Sequence, residues 1–278
     1  MTNLGVLYGL LQTGDVVFSD ELNHASIIDG CRISRCKVVV YKHNDMADLQ
    51  RLLETEIVTG QRFIVTDGVF SMDGDIADLP SLAVLKKQFN AFLIVDDAHG
   101  VGVIGNDGSG TASHYGLTDV IDLQVGTLSK ALAAEGGYVA GKKILIDYLI
   151  NRSRPFIFST ALAPATLAAA NAALLLLQTQ ASKYLDSLRA NSRLMRRLLL
   201  EGGLNVVEGI TPIIPVVIGE AGLTMQFADR LKSKGILVSG IRPPTVPRGE
   251  SRLRITVTAA HCLSLIHISE PTRRTPIS

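Results

Sequence analysis

Tryptophan is absent, aromatic residues make up 5% of the 278-residue chain, and neither charge dominates: 27 Lys+Arg stand against 26 Asp+Glu, a formal net charge of +1. A chain so balanced has no electrostatic footprint for a nucleic-acid groove, and without Trp it lacks the aromatic belt of a membrane protein. Cysteine is scarce too. Cys31, Cys36 and Cys262 are an odd number without a CxxC pair, which argues against a disulfide framework or a structural zinc site and fits a reducing cytoplasm. The opening MTNLGVLYGLLQTGD has no basic stretch before its apolar residues and meets a Gly-Asp turn early, so it reads poorly as a signal peptide. The longest uncharged run, Pro155 to Gln180, is dominated by alanine and carries Pro155, Pro164, Asn171 and Gln178. It is expected to be a buried helix rather than a membrane span.

From Gly60 to Gly141, short runs rich in Val, Ile and Phe alternate with amphipathic or loop segments, the pattern of a parallel α/β sheet. Arg62–Val65, Ala91–Val95 and Ile121–Val125 each end in polar residues: TDGVFSMDGD, DDAHG and GTLSK. Between the first two, Leu79, Leu82, Leu85 and Phe89 keep helical spacing after Asp78, which predicts a crossover helix with Asp78 as its N-cap. Parallel strands would put all three polar clusters at carboxyl ends, where open α/β sheets place ligand sites. Beyond about Ala181 the pattern becomes that of a smaller α+β domain. A helix stripe (Tyr184, Leu185, Leu188, Met195, Leu199) leads to a strand at Ile213–Ile218, a helix near Leu223–Lys234, the apolar run Gly235–Val238 and an alternating strand at Arg252–Thr258. In that last strand Arg252 and Arg254 share the face turned away from the apolar residues. The chain thus divides into a large α/β domain (1–165), a long helix with a small α+β domain (166–262), and a stretch from 263 to 278 without periodicity, expected to be a non-native tail.

Gly100-Val101-Gly102-Val103-Ile104-Gly105 matches the dinucleotide fingerprint GxGxxG, but Asn106-Asp107-Gly108-Ser109-Gly110 follows where a helix should open, which is loop chemistry. Asp73, Asp75, Asp96, Asp97 and His99 offer oxygen ligands without the spacing of any metal motif, so no metal is expected. No GxSxG elbow is present. Lys130, just past a buried strand, has two readings: a surface residue closing the strand, or a desolvated amine able to form a Schiff base. Asp96, 34 residues earlier at the end of the neighbouring run, tips the choice, since a carboxylate there can pair with the pyridinium nitrogen of pyridoxal phosphate. His24 adds a flat ring able to stack on such a cofactor.

The blocks DELNHASIIDG, TDGVFSMDGD, VDDAHGVGVIG, VGTLSKALAAEGGY, NRSRPFIFSTALAPA and IRPPTVPRGESRLRITVTAAH, in this order, resemble the α-oxoamine synthases, pyridoxal-phosphate enzymes of the aspartate-aminotransferase fold. The resemblance implies a three-layer α/β large domain, a smaller C-terminal α+β domain and an N-terminal truncation, because family members carry a Gly-rich phosphate turn ahead of the Asn3-Leu4-Gly5-Val6 block. It implies that Lys130 carries the cofactor and removes the amino acid's α-proton, that Asp96 binds the pyridine nitrogen, and that His24 stacks on the ring. His99 and Ser71 would hydrogen-bond the phenolic oxygen, Thr127 the phosphate. Arg254 would grip the substrate carboxylate, with Arg242 and Thr245 also contacting substrate. The implied reaction is a decarboxylative Claisen condensation of L-alanine with a pimeloyl thioester of coenzyme A or acyl carrier protein, in a cytoplasmic homodimer that uses neither nucleic acid nor membrane. A glycine-using relative and a non-catalytic fragment remain the alternatives.

Overall fold

Inner strands covered by helices on both faces bury residues whichever way they point, which is why Val, Ile and Phe recur there in unbroken runs. The computed structural model describes residues 1–262; the expected tail at 263–278 lies outside the described residues. The runs form β1 (Val16–Asp20), β2 (Lys37–Tyr41), β3 (Arg62–Asp67), β4 (Ala91–Asp96), β5 (Leu123–Thr127) and β6 (Gly137–Gly141). They make a six-stranded sheet in the order β2-β1-β3-β4-β5-β6, parallel except for the antiparallel pair β5–β6. The helices of this part are α1 (Thr2–Leu10), α2 (Ala25–Ile33), α3 (Met46–Thr55), α4 (Leu79–Gln88), the single turn α5 (Thr111–His114), α6 (Lys143–Arg152) and the single turn α7 (Arg154–Ile157).

Alternate residues of each strand point to opposite faces, so the sheet divides its apolar side chains between two cores. Val17, Phe63, Val65, Ile94, Leu123 and Val125 pack with Leu7 of α1, Ile27 of α2 and Leu149 of α6. Phe18, Ile64, Leu93 and Val95 pack on the other face with Leu49 of α3 and Leu82 of α4. The result is the expected helix–sheet–helix sandwich. The predicted crossover helix is α4, and Asp78 caps it by accepting the Ser81 N–H at 3.1 Å.

α8 (Pro164–Glu201) is two helices end to end, broken at Gln180 where φ is −137°. The described residues divide there into two compact units: residues 1–70 with 76–181, and residues 71–75 with 182–262. In the second unit β7 (Ile213–Gly219), α9 (Ala221–Ser233), β8 (Ser239–Ile241) and β9 (Ser251–Thr256) form an antiparallel three-stranded sheet, order β7-β9-β8, with a helix. Met195 and Leu199 of α8 close its core with Ile214, Val216, Leu253 and Val257. The edge strand β8 lies at Ser239–Ile241, just past the apolar run 235–238.

Two expectations need correction. The run Pro155–Gln180 is largely helical but not buried: Phe156, Phe158, Leu167, Leu174, Leu175 and Leu176 are exposed, because nothing among the described residues packs over them. Among the described residues no helix is long and apolar enough to cross a membrane. Arg252, expected to face outward from its domain, is 3% exposed; its guanidinium is covered by Asp73 and Glu250, which pair with it.

Candidate active site

Parallel strands deliver their last residues to one edge of the sheet, and here that edge is acidic. Asp20 closes β1, Asp67 closes β3 and Asp96 closes β4, and Asp67 and Asp96 are register partners across β3–β4. All three are buried. Asp97, one residue on, is 1% exposed and accepts the Thr111 N–H at 2.7 Å.

Asp96 is linked to His24 through two side chains. Asn3 Nδ2 donates to Asp96 Oδ2 at 2.5 Å and to Ser26 Oγ at 2.9 Å. Ser26 Oγ lies 2.8 Å from His24 Nδ1, which also accepts the Ser26 N–H at 3.2 Å. Asn3 Nδ2 can only donate, so the Ser26 hydroxyl donates onward to Nδ1, leaving the proton of a neutral imidazole on Nε2. His24 is the N-cap of α2, and its backbone N–H donates to Asp67 Oδ2 at 2.7 Å. Ala98 N–H donates to the other Asp96 oxygen at 3.0 Å.

Crowding like charges in a desolvated edge raises carboxyl pKa values. Burial pushes Asp67 well above the usual carboxylate range and the Asp96 charge adds to it, while the His24 N–H and the positive charge of Lys130 pull it back. Burial likewise pushes Asp97 up to about 6, against its bonds from Thr111 and with Asp96 adding. Tyr138 is raised by burial and by the Asp97 and Asp96 charges. Its ring crosses Gly126 so closely that a Cβ there would lie 2.3 Å from Tyr138 Cζ; this is why the strand before Lys130 carries glycine.

Lys130 sits in the bend after β5 and is exposed, so the desolvated amine anticipated from sequence is not buried by this chain. Thr127, at the end of β5, accepts the Ser129 N–H at 3.2 Å, lies 2.7 Å from Ser129 Oγ and donates to Gly136 O at 3.2 Å. His99 is half-buried in the turn after β4. The first unit thus brings Lys130, Asp96, Thr127, His99 and exposed His24 to the carboxyl ends of its strands.

The remaining candidates belong to the second unit. Arg254 is half-buried; its Nε donates to the Ser71 carbonyl and its Nη1 to Thr256 Oγ1 at 3.0 Å. Arg242 and Thr245 are exposed in the turn after β8, where Thr245 N–H donates to Arg242 O at 3.1 Å. The sequence reading assigned no task to Asn3, Ser26, Asp67 or Asp97. Asp97 stood in the polar DDAHG cluster, and Asn3 was a polar residue on a largely apolar first helix, where it is 7% exposed.

The model of the family "Aminotransferase class I and II" matches residues 2–267. The chain belongs to that family. An 8-amino-7-oxononanoate synthase from Lysinibacillus sphaericus is 50% identical over 263 residues, 95% of this chain and 67% of the relative. A solved structure of an enzyme of that name from Francisella tularensis matches at TM-score 0.81 and 31% identity over 95% of this chain and 76% of that one. A serine palmitoyltransferase solved with pyridoxal phosphate matches at TM-score 0.92 and 31% identity, over 96% and 67%. The chain spans about two thirds of the length of the curated relatives it matches. Within the aminotransferase family, the similarity is to pyridoxal-phosphate-dependent α-oxoamine synthases, as the motif blocks implied.

Proposed function

We propose that this chain carries the cofactor- and substrate-binding residues of an 8-amino-7-oxononanoate synthase, which joins L-alanine to a pimeloyl thioester in biotin biosynthesis. A carbon–carbon bond forms between the alanine α-carbon and the thioester carbonyl carbon. The alanine carboxyl group leaves as carbon dioxide and the carbon–sulfur bond breaks to free the thiol of coenzyme A or acyl carrier protein. Half-identical relatives of that name support alanine over glycine. The working form in this reading is a cytoplasmic homodimer, and the exposed apolar residues of α7 and α8 are the surface available for a second copy.

The observation that carries the reading is Asp96. It is 7% exposed, receives neutral N–H donors on both oxygens and raises two neighbouring acids by its charge. A buried carboxylate so placed calls for a cation, and a protonated pyridine nitrogen is one. Pyridoxal phosphate fits this donor set. When bound, it supplies an electron sink for negative charge at the amino acid's α-carbon.

The chain's own residues do the rest. Lys130 Nζ anchors the cofactor and takes the α-proton, the double task of a lysine in this chemistry. Asp96 would hold the ring nitrogen, and the Asn3–Ser26 relay orients the His24 ring to lie against the cofactor. Thr127 offers a hydroxyl to the phosphate, and Ser71 and His99 offer donors to the phenolic oxygen. Arg254 takes the substrate carboxylate as a charge-assisted pair, with Arg242 and Thr245 at the acyl substrate.

The test is the visible spectrum of the chain with pyridoxal phosphate, beside Lys130→Ala, titrated with L-alanine and with glycine. A band that needs Lys130 and responds at lower alanine than glycine concentration is expected. Identical spectra for the two proteins would overturn the assignment of Lys130, and preference for glycine would overturn the substrate.

A further inference from the structure

Residues 71–75 leave the first unit after Phe70 and return to it at Ile76, yet they pack as part of the second. The base of this strap is pinned in the first unit: Val69 and Ile76 form an isolated β-bridge, Ala77 N–H donates to Gly68 O at 3.1 Å, and Asn44 Nδ2 donates to Ile76 O at 3.1 Å. Its tip is held by three side chains of the second unit. Arg252 pairs with Asp73, Arg254 Nε donates to the Ser71 carbonyl, and Thr211 Oγ1 donates to Gly74 O at 2.6 Å. Gly74 has φ +72°, and a Cβ there would lie 2.6 Å from Ile213 O, so the strap lies against the backbone of β7 with no room for a side chain.

Arg252 and Arg254 are two residues apart on β9, hence on one face of the strand, and both reach into the strap. Arg252 is committed: its side chain is 4% exposed, and Nε, Nη1 and Nη2 go to Glu250 O, Asp73 and Glu250 Oε2. Arg254 spends only Nε on the strap.

We infer that Arg252 is a positioning residue: its buried pair with Asp73 makes strap 71–75 move with β9, so that Ser71 and Arg254 act as one piece. This rests on the proposed roles of Ser71 at the cofactor and Arg254 at the substrate carboxylate, and it adds their coupling. A carboxylate that engages Arg254 shifts the same guanidinium that holds the Ser71 carbonyl, so its binding is felt at Ser71. Breaking a buried pair from one side leaves its partner charge uncompensated, which is why one residue can govern the strap.

The test has two arms on the full chain. In the first, without cofactor, hydrogen exchange of amides 71–75 is compared in wild type, Arg252→Gln, Asp73→Asn and Asp73→Arg/Arg252→Asp. Exchange about tenfold faster in both single variants, reversed in the swapped pair, is expected; unchanged exchange in Asp73→Asn overturns the holding role even if Arg252→Gln fails to fold. In the second, the Lys130-dependent band is titrated with pH, with and without propionate, a carboxylate lacking the reactive amine. Propionate is expected to shift the midpoint in wild type but not in Asp73→Asn, and Thr211→Val is expected to halve the shift. An undiminished shift in Asp73→Asn overturns the coupling while leaving the proposed function standing, whereas absence of any Lys130-dependent band in wild type overturns both.

Discussion

The two edges of the large sheet are built from the same strands and the same residue type, aspartate, used in opposite ways. At the amino edge, Asp15 and Asp122 are committed acids. Asp15 accepts the Gln12 and Gln61 N–H groups, both at 2.8 Å, and Asp122 accepts the Leu93 N–H at 2.7 Å while pairing with Lys86 Nζ at 2.7 Å. Both acids line a cavity of about 490 Å³ together with Gln12, Thr13, Phe63 and Phe92, and the two Phe rings stack with centroids 5.2 Å apart. At the carboxyl edge, Asp67, Asp96 and Asp97 crowd one another, and their mutual repulsion is relieved only in part by N–H donors and by Lys130. Acids that staple backbone report on stability. Acids stacked against their own charge hold a standing demand for a cation, and that demand is what a binding site consists of.

The sharpest way to break this contrast is to neutralise one acid at each edge without changing its shape. Asp96→Asn removes the charge expected to hold the cofactor nitrogen. Its kcat is expected to fall at least about a thousandfold, or roughly 4 kcal/mol, with little loss of thermal stability, measured as product formation from alanine and pimeloyl thioester. Asp122→Asn is expected to do the reverse: lower stability with near-normal kcat per folded molecule. Equal losses of activity at both edges would erase the distinction.

The next effect belongs to the amino edge. Asp15→Ala removes the acceptor of the Gln12 and Gln61 N–H groups, two charge-assisted bonds at the edge of the buried Asp15 side chain, and is expected to cost about 3 kcal/mol in urea unfolding, whereas Asp15→Asn, which keeps one acceptor, costs about half of that. A loss below about 1 kcal/mol for the alanine variant would show that water replaces the staple.

How far each edge could be read from sequence follows from the range of the interactions. The polar endings of β3, β4 and β5 and the Asp78 cap are local patterns, so the sheet's carboxyl edge, with Asp96 and Lys130, was visible in the order of residues alone. The antiparallel β6 gave no period of its own, because Gly137 and Gly141 bound it and none of its residues is buried. Arg252 was misread as outward because its partner Asp73 lies 179 positions away; alternation shows which face a residue takes, not what awaits it there. The exposed first half of α8 was misread for the related reason that an apolar sequence shows a wish for burial, not the surface that grants it. Asn3, 93 positions from Asp96, was beyond any spacing rule.

Asp97 turns the contrast into a pH dependence. Its folded pKa of about 6 lies above the usual carboxylate range, so the folded chain holds this proton more tightly than the unfolded one. The stability it contributes is complete below about pH 4 and is lost as pH rises through about 6, in total up to about 3 kcal/mol. Asp97→Asn, which keeps an oxygen for the Thr111 N–H, is expected to flatten the fall in stability between pH 4 and 6, measured by denaturant midpoints. An unchanged slope would mean that the crowded acids are solvated after all.

The smallest expected effect calibrates the rest. Asp147 pairs with Lys143 at 2.6 Å on α6, with 54% and 86% of the two side chains exposed. It is neither a staple nor crowded, and water screens the pair while two long side chains lose freedom to make it. Asp147→Ala is therefore expected to cost less than about 0.5 kcal/mol at any pH and to leave activity alone. If it cost as much as Asp15→Ala, the loss at the amino edge would have to be credited to aspartate removal in general rather than to the two backbone groups Asp15 holds, and only the carboxyl edge would keep a distinct physical signature.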